Sequence, residues 1–190
     1  MRREAERTTL LEREHNTVVD SWSNDGRYLA LGENNPSTGL DIWILPIGEE
    51  PRPYLITPYD ENGSRFSPND RFIAYVSDET GRREVYVRPF PKSQGQVKIS
   101  TNAGQAPIWS RDETELFYRE GRNVMSVPVS IDSEFQAGTP ELVLSGNFAT
   151  DPTGHAGYDV MPDGQSFVMI EVDEGAPLTE IHVVLNWFES

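Results

Sequence analysis

Four copies of one strand-turn-strand pattern, set 44, 43 and 51 residues apart, predict an all-β fold. The expected architecture is a β-propeller of about four four-stranded antiparallel blades, either a closed small ring or part of a larger propeller. Two further observations agree with it. Every copy runs on into a third apolar segment and three of them into a fourth. Four Trp, seven Tyr and eight Phe also suit strands far better than a disordered chain.

The first element in each copy is a turn. Ser23-Asn24-Asp25-Gly26 is matched by Ser67-Pro68-Asn69-Asp70, by Ser110-Arg111-Asp112-Glu113 and more loosely by Met161-Pro162-Asp163-Gly164. Trp22, Phe66, Trp109 and Val160 precede the turns, and Tyr28 to Leu31, Phe72 to Tyr75, Glu115 to Tyr118 and Ser166 to Met169 follow them. Apolar runs on both sides of an Asp-Gly or Asn-Asp pair predict a β-hairpin.

The third runs are Asp41 to Ile44, Glu84 to Val87, Asn123 to Ser126 and Glu180 to Val183, and Pro46, Pro89 and Pro128 close three of them. Proline cannot donate to a ladder, so it suits a strand end. Fourth runs are Pro53 to Ile56, Gln96 to Ile99 and Glu141 to Leu144. These limits give an N-terminal segment over 1–16 and repeats over 17–190, with blades at about 17–57, 60–101, 103–144 and 157–188. Arg7 to Leu11 has the composition of the fourth strand missing from the last blade, which would close the ring. The same residues equally suit the tail of a blade lying upstream.

Composition narrows the function. At 190 residues, 36% hydrophobic and 25% charged, the chain suits one globular domain. Without an apolar run near 18 residues, and with a charged amino terminus, neither a transmembrane helix nor a signal peptide is expected, and the compartment stays open. Zero cysteines remove disulfides and thiolate chemistry. The net charge is −15, and residues 131–190 carry 11 acidic side chains and no Lys or Arg. Such a surface repels phosphate backbones, so nucleic acid is not an expected partner.

Candidate chemistry is sparse. Gly-x-Ser-x-Gly, phosphate-binding glycine loops, dinucleotide fingerprints and kinase signatures are absent. His and carboxylates crowd at one place, Asp151, His155 and Asp159, in the longest connection; its oxygens suit a hard cation, and a glycine-rich surface loop explains it equally. His182 shares a column with Trp43, Tyr86 and Met125, which suggests packing, and His15 lies in a polar approach. Asn62-Gly63-Ser64 matches a glycosylation triplet by chance. Arg82, Arg83, Arg88 and Lys92, offset by Asp78, Glu79 and Glu84, suggest a solvated hairpin.

The segments SWSNDGRYLALG, RFSPNDRFIAYVSDETGRREVYVRPFP and IWSRDETELFYREGRNVMSVPV resemble the TolB-like, WD-repeat-like β-propeller family. The ending, YDVMPDGQSFVMIE with IHVVLNWF, is similar to the carboxyl-terminal propeller of bacterial serine/threonine protein kinases and related sensory proteins. The likeness covers about residues 17–188. Two departures matter: Asp70 and Glu113 stand where the turn glycine belongs, so the second turn is expected to keep its shape and the third to lose it, and the resemblance implies six or more blades where four are visible, as expected of part of a larger ring.

Repeats without a catalytic signature suggest a binding module with a protein or peptide partner, no cofactor and no enzymatic activity of its own, and the resemblance implies a sensory or regulatory role for it. A homodimer follows if the ring is open. The alternative is an accessory propeller of a hydrolase or peptidase whose catalytic domain lies outside this chain.

Overall fold

The computed structural model describes residues 9–92, 94–131, 134–149, 156–164, 166–172 and 182–184. These form antiparallel sheets without helices. The first holds β1 (Asn16–Trp22), β2 (Tyr28–Asn35), β3 (Gly39–Pro46) and β4 (Arg52–Leu55) in that order. The second holds β5 (Glu61–Phe66), β6 (Phe72–Ser77), β7 (Glu84–Pro89) and β8 (Val97–Lys98). In the third, β9 (Gln105–Trp109), β10 (Glu115–Glu120) and β11 (Asn123–Ser130) are followed by β12 (Gln136–Ala137) and β13 (Glu141–Ser145), both paired with β11. The fourth holds β14 (Tyr158–Val160), β15 (Phe167–Met169) and β16 (His182–Val184). Each sheet is a propeller blade. The third has one strand more than the repeat pattern predicts, because β11 is long enough to pair along its far end with β12.

Strand alternation builds the seams between blades. In β2, Leu29 and Leu31 face away from the second blade while Ala30 packs into it with Ile42, Ile44 and Tyr54. The same column order returns in β6, where Ile73 and Tyr75 face the first blade and Phe72, Ala74 and Val76 face the third. In β10, Leu116 and Tyr118 look back and Phe117 looks forward, onto Tyr158, Phe167 and Met169 of the fourth blade. Phe167 and Met169 hold the backward-facing columns of β15.

The turns add a second set of ties. Ser23, Ser67 and Ser110 each accept the amide of the fourth turn residue on their carbonyl, at 3.0, 2.9 and 3.2 Å. Each serine hydroxyl also accepts the amide opening the next strand, from Tyr28, Phe72 and Glu115. The expectation for Glu113 is therefore corrected: the third turn keeps the common shape, with Glu113 at φ 65° and Asp70 at φ 57°. Inter-blade bonds help hold both. The Asp70 carboxylate accepts the amides of Asn24 and Asp25 in the previous turn at 2.7 and 2.9 Å, and Glu113 accepts Asn69 Nδ2 at 3.2 Å. Asp70 holds two backbone donors and Glu113 one side-chain amide. We expect Glu113→Gly to relieve backbone strain and raise stability by about 0.5–1 kcal/mol, while Asp70→Gly lowers it by about 1 kcal/mol. Urea denaturation of both variants checks the opposite signs.

The closing-strand expectation falls partly outside the described residues. Arg7 and Thr8 lie outside the described residues, and Thr9 to Leu11 form no strand. Leu11 instead packs on Leu29, Leu31 and Leu45, the face of the first blade turned away from the second. Arg13 fastens the segment, pairing with buried Glu33 at 2.5 Å and lying 4.2 Å from the Trp43 ring centroid. An aliphatic run gains as much from covering an apolar face as from extending a sheet edge, and here the face wins.

Candidate functional site: the axial funnel

The first strands of the blades, β1, β5, β9 and β14, line a funnel of about 640 Å3 that opens at the turn end. Side chains stitch each of these strands to the next. Asp20 Oδ2 accepts the Ser64 amide at 2.9 Å and its hydroxyl at 2.7 Å, and Arg65 Nη1 donates to the Asp20 carbonyl at 2.7 Å. Trp109 Nε1 donates to the Arg65 carbonyl at 3.1 Å, and the Tyr158 hydroxyl to the Ala106 carbonyl at 3.0 Å. Burial pushes the Tyr158 hydroxyl well above the usual tyrosine range, which keeps it a donor.

A left-handed residue recurs in two of these strands, at Gly63 and Ala106, and just before a third, at Gly157. In the first two, the pairing with the neighbouring strand slips there. A bulge of this kind re-aims the side chains that follow it. Two residues after Gly63, Arg65 joins the funnel lining, and Arg111 and Asp159 bring the other charges. Trp22 is 55% exposed, whereas Trp109 in the same column is 8% exposed. The difference is the neighbour: Trp109 reaches back to the preceding blade, and Trp22 has no described blade behind it. Met161, also on the funnel wall, is 42% exposed.

The opposite strand ends gather buried acids. Asp41 and Glu61 are 0% and 1% exposed, and among the described residues Asp41 Oδ1 and Glu61 Oε2 have no hydrogen-bond partner. Thr38 donates to Asp41 at 2.6 Å and Thr57 to Glu61 at 2.6 Å. Burial raises both carboxyls against the lowering effect of those hydroxyls, with neighbouring carboxylates adding to the rise, and brings Glu61 to about 7. Glu84 occupies the Asp41 column one blade on and behaves oppositely. Burial pushes it up, but Ser100, Lys98 and Arg82 outweigh that and hold it below the usual range. The hairpin cluster is thus only partly the solvated feature that the sequence suggests, since Arg82 and Lys98 pair with buried Glu84 at 2.7 and 2.9 Å.

Most of the other sequence candidates fall outside the described residues. Asp151 and His155 lie outside the described residues, as does the side chain of His182. Asp159 lines the funnel mouth, its Oδ1 accepting the Val160 amide at 2.8 Å. Among the described residues no group of three His, Cys, Asp or Glu is placed to hold a metal ion. Asn62 and Ser64 are buried, so the glycosylation triplet is closed to modification. No helix among the described residues is long and apolar enough to cross a membrane. Sequence reasoning passed over Arg65, whose signal was Gly63, matched by Ala106 and Gly157 at the separations of the turns.

No protein-family model and no curated protein sequence matches the chain. Solved structures do. TolB from Acinetobacter baumannii superposes with a TM-score of 0.64 at 12% identity over 93% of this chain and 44% of that one. An Agrobacterium tumefaciens protein assigned as TolB gives 0.66 at 22% identity over 95% and 62%. A puromycin-hydrolyzing peptidase from Mycobacterium tuberculosis gives 0.61 at 17% identity over 82% and 28%. The structural neighbours are thus TolB-like β-propellers, some of them parts of hydrolases or peptidases, and this chain spans less than two thirds of each of the three.

These neighbours correct the expectation that the chain is no enzyme. A peptidase and an oligogalacturonate lyase share the architecture, so a repeat propeller is no argument against catalysis.

Proposed function

We propose that this chain is a recognition domain whose axial funnel binds a segment of a protein or peptide. The observation that carries the reading is convergence: the same strand of every blade and the turn that follows it deliver side chains to one open cavity, including solvent-exposed Trp22 and Met161. Aromatic and methionine side chains at such a mouth offer large contact area at small ordering cost. The resemblance of the VRPFP and HVVLNWF segments to propellers of kinase-type bacterial proteins supports a sensory or regulatory role within a larger protein.

Panning a randomised decapeptide display library on the chain tests the reading. We expect peptides that bind the parent and are weakened at least tenfold by Trp22→Ala. Enrichment unchanged by that substitution, or none at all, would overturn it. A second reading, an accessory propeller gating a hydrolase, draws support from the peptidase neighbour, of which this chain covers 28%. Kinase motifs in the adjoining coding sequence favour the first, and a Gly-x-Ser-x-Gly domain favours the second.

A further inference from the structure

The charges in the funnel run against those of the whole molecule. The chain carries a net charge of −15, yet the funnel lining holds Arg65 and Arg111 against the single carboxylate of Asp159. Among the described residues neither arginine forms an ion pair, whereas Arg13, Arg27, Arg52 and Arg82 each have a carboxylate. Arg65 is half-buried, and its one hydrogen bond runs from Nη1 to a backbone carbonyl, which leaves most of a five-donor fork unused.

The acids of the neighbouring turns are already engaged and do not compete for it. Asp25 accepts the Ser23 hydroxyl and the Arg27 amide, Asp70 accepts two turn amides, and Asp112 accepts Thr114.

Resting on the reading of the funnel as a peptide site, we infer that its ligand carries a carboxylate beside an apolar side chain. The carboxylate is received by Arg65 and Arg111 and the apolar group by Trp22 and Met161. A guanidinium takes a carboxylate through paired hydrogen bonds, and partial removal from water strengthens them. The acidic exterior acts at longer range. At physiological salt its field decays over about 8 Å, so one carboxylate in contact with two guanidiniums outweighs it, while a polyanion meets repulsion along its whole length. The funnel therefore discriminates an acidic side chain or chain terminus from a nucleic acid strand.

The test takes the best-enriched peptide from the panning and its synthetic Glu/Asp-to-Gln/Asn counterpart, each with a free and an amidated C terminus. Binding to the full chain is measured by calorimetry in 50 and 500 mM salt. The acidic peptide is expected to bind at least tenfold tighter at low salt, with the gap shrinking below threefold at high salt and in Arg111→Gln. Arg65→Lys should retain part of the preference and Arg65→Gln lose it, with thermal melts confirming that both variants fold. A penalty on amidation assigns the carboxylate to a chain terminus, and no penalty assigns it to a side chain. Equal binding of the acidic and neutral peptides together with no penalty on amidation, or a preference unmoved in both arginine variants, overturns the carboxylate inference and leaves the peptide site standing. Failure of the panning removes both.

Discussion

Replacing Phe117 with alanine is expected to cost about 3–5 kcal/mol and to do so at one seam. The ring is fully buried, meets Phe167 edge-on at a centroid distance of 5.1 Å, and is the forward-facing residue of β10. Its column holds Ala30 and Ala74 in the earlier blades, so the third seam concentrates in one side chain what the others spread over several. For a chain of this size that loss lowers the melting temperature by roughly 10–15 °C. The cavity lies between the third and fourth blades, so hydrogen exchange should accelerate in β14 and β15 well before β5 to β7. Phe117→Leu, which keeps much of the volume, should cost no more than about 1.5 kcal/mol. An equal rise in exchange across all blades, or a loss below 1 kcal/mol for the alanine variant, would contradict this account.

The second large effect is the dependence of stability on pH at Glu61. Its carboxyl is raised from an ordinary value of 4.5 to about 7 by burial, so the folded chain holds the proton more tightly than the unfolded one. Stability from this group is therefore greatest below about pH 4.5, falls as pH rises towards 7, and is level above that. The span is about 2–3 kcal/mol, the hydroxyls of Thr57 and Ser77 being already counted in that value. Glu61→Gln removes the charge that burial disfavours. The variant should be about 2 kcal/mol more stable than the parent at pH 8 and equal to it near pH 4.5. Other carboxylates, such as Glu84, shift the opposite way, so the informative quantity is the difference between the two proteins. A variant less stable than the parent at pH 8 would show that Glu61 is held ionised by a favourable environment.

Backbone demands were easy to see in the sequence, and tertiary demands were not. Serine, Asn-Asp pairs and glycine mark the turns because few residues suit those conformations, and the alternation Tyr28-Leu29-Ala30-Leu31 names the faces of a strand. Glu113 misled because its intrinsic penalty is local, whereas the serine-based turn and the bond from Asn69 that hold it include a partner one blade away. Leu11 has strand-like neighbours, and nothing in its own segment says that an apolar face 18 residues further on would claim it. Glu61 and Glu84 look alike in sequence as strand-opening acids. Burial raises both; at Glu84 the Ser100 hydroxyl with Lys98 and Arg82 outweighs it, while at Glu61 the Thr57 and Ser77 hydroxyls do not, and Asp41 and Asp78 add to the rise. Arg65 escaped notice because an arginine near a turn is ordinarily solvated, and a bulge at Gly63 turns it to the axis.

The ties between turns have a consequence for growth of such chains. Asp70 reaches Asn24, and Glu113 reaches Asn69, so each joint is written wholly within two successive repeats. Duplication or loss of an entire repeat leaves every surviving joint with both its halves, while an insertion inside a repeat breaks one. Ring size in this architecture can therefore drift by whole units with redesign confined to the one new junction, where Pro68 in the Asn24 position offers no amide, and the funnel widens or narrows with the count.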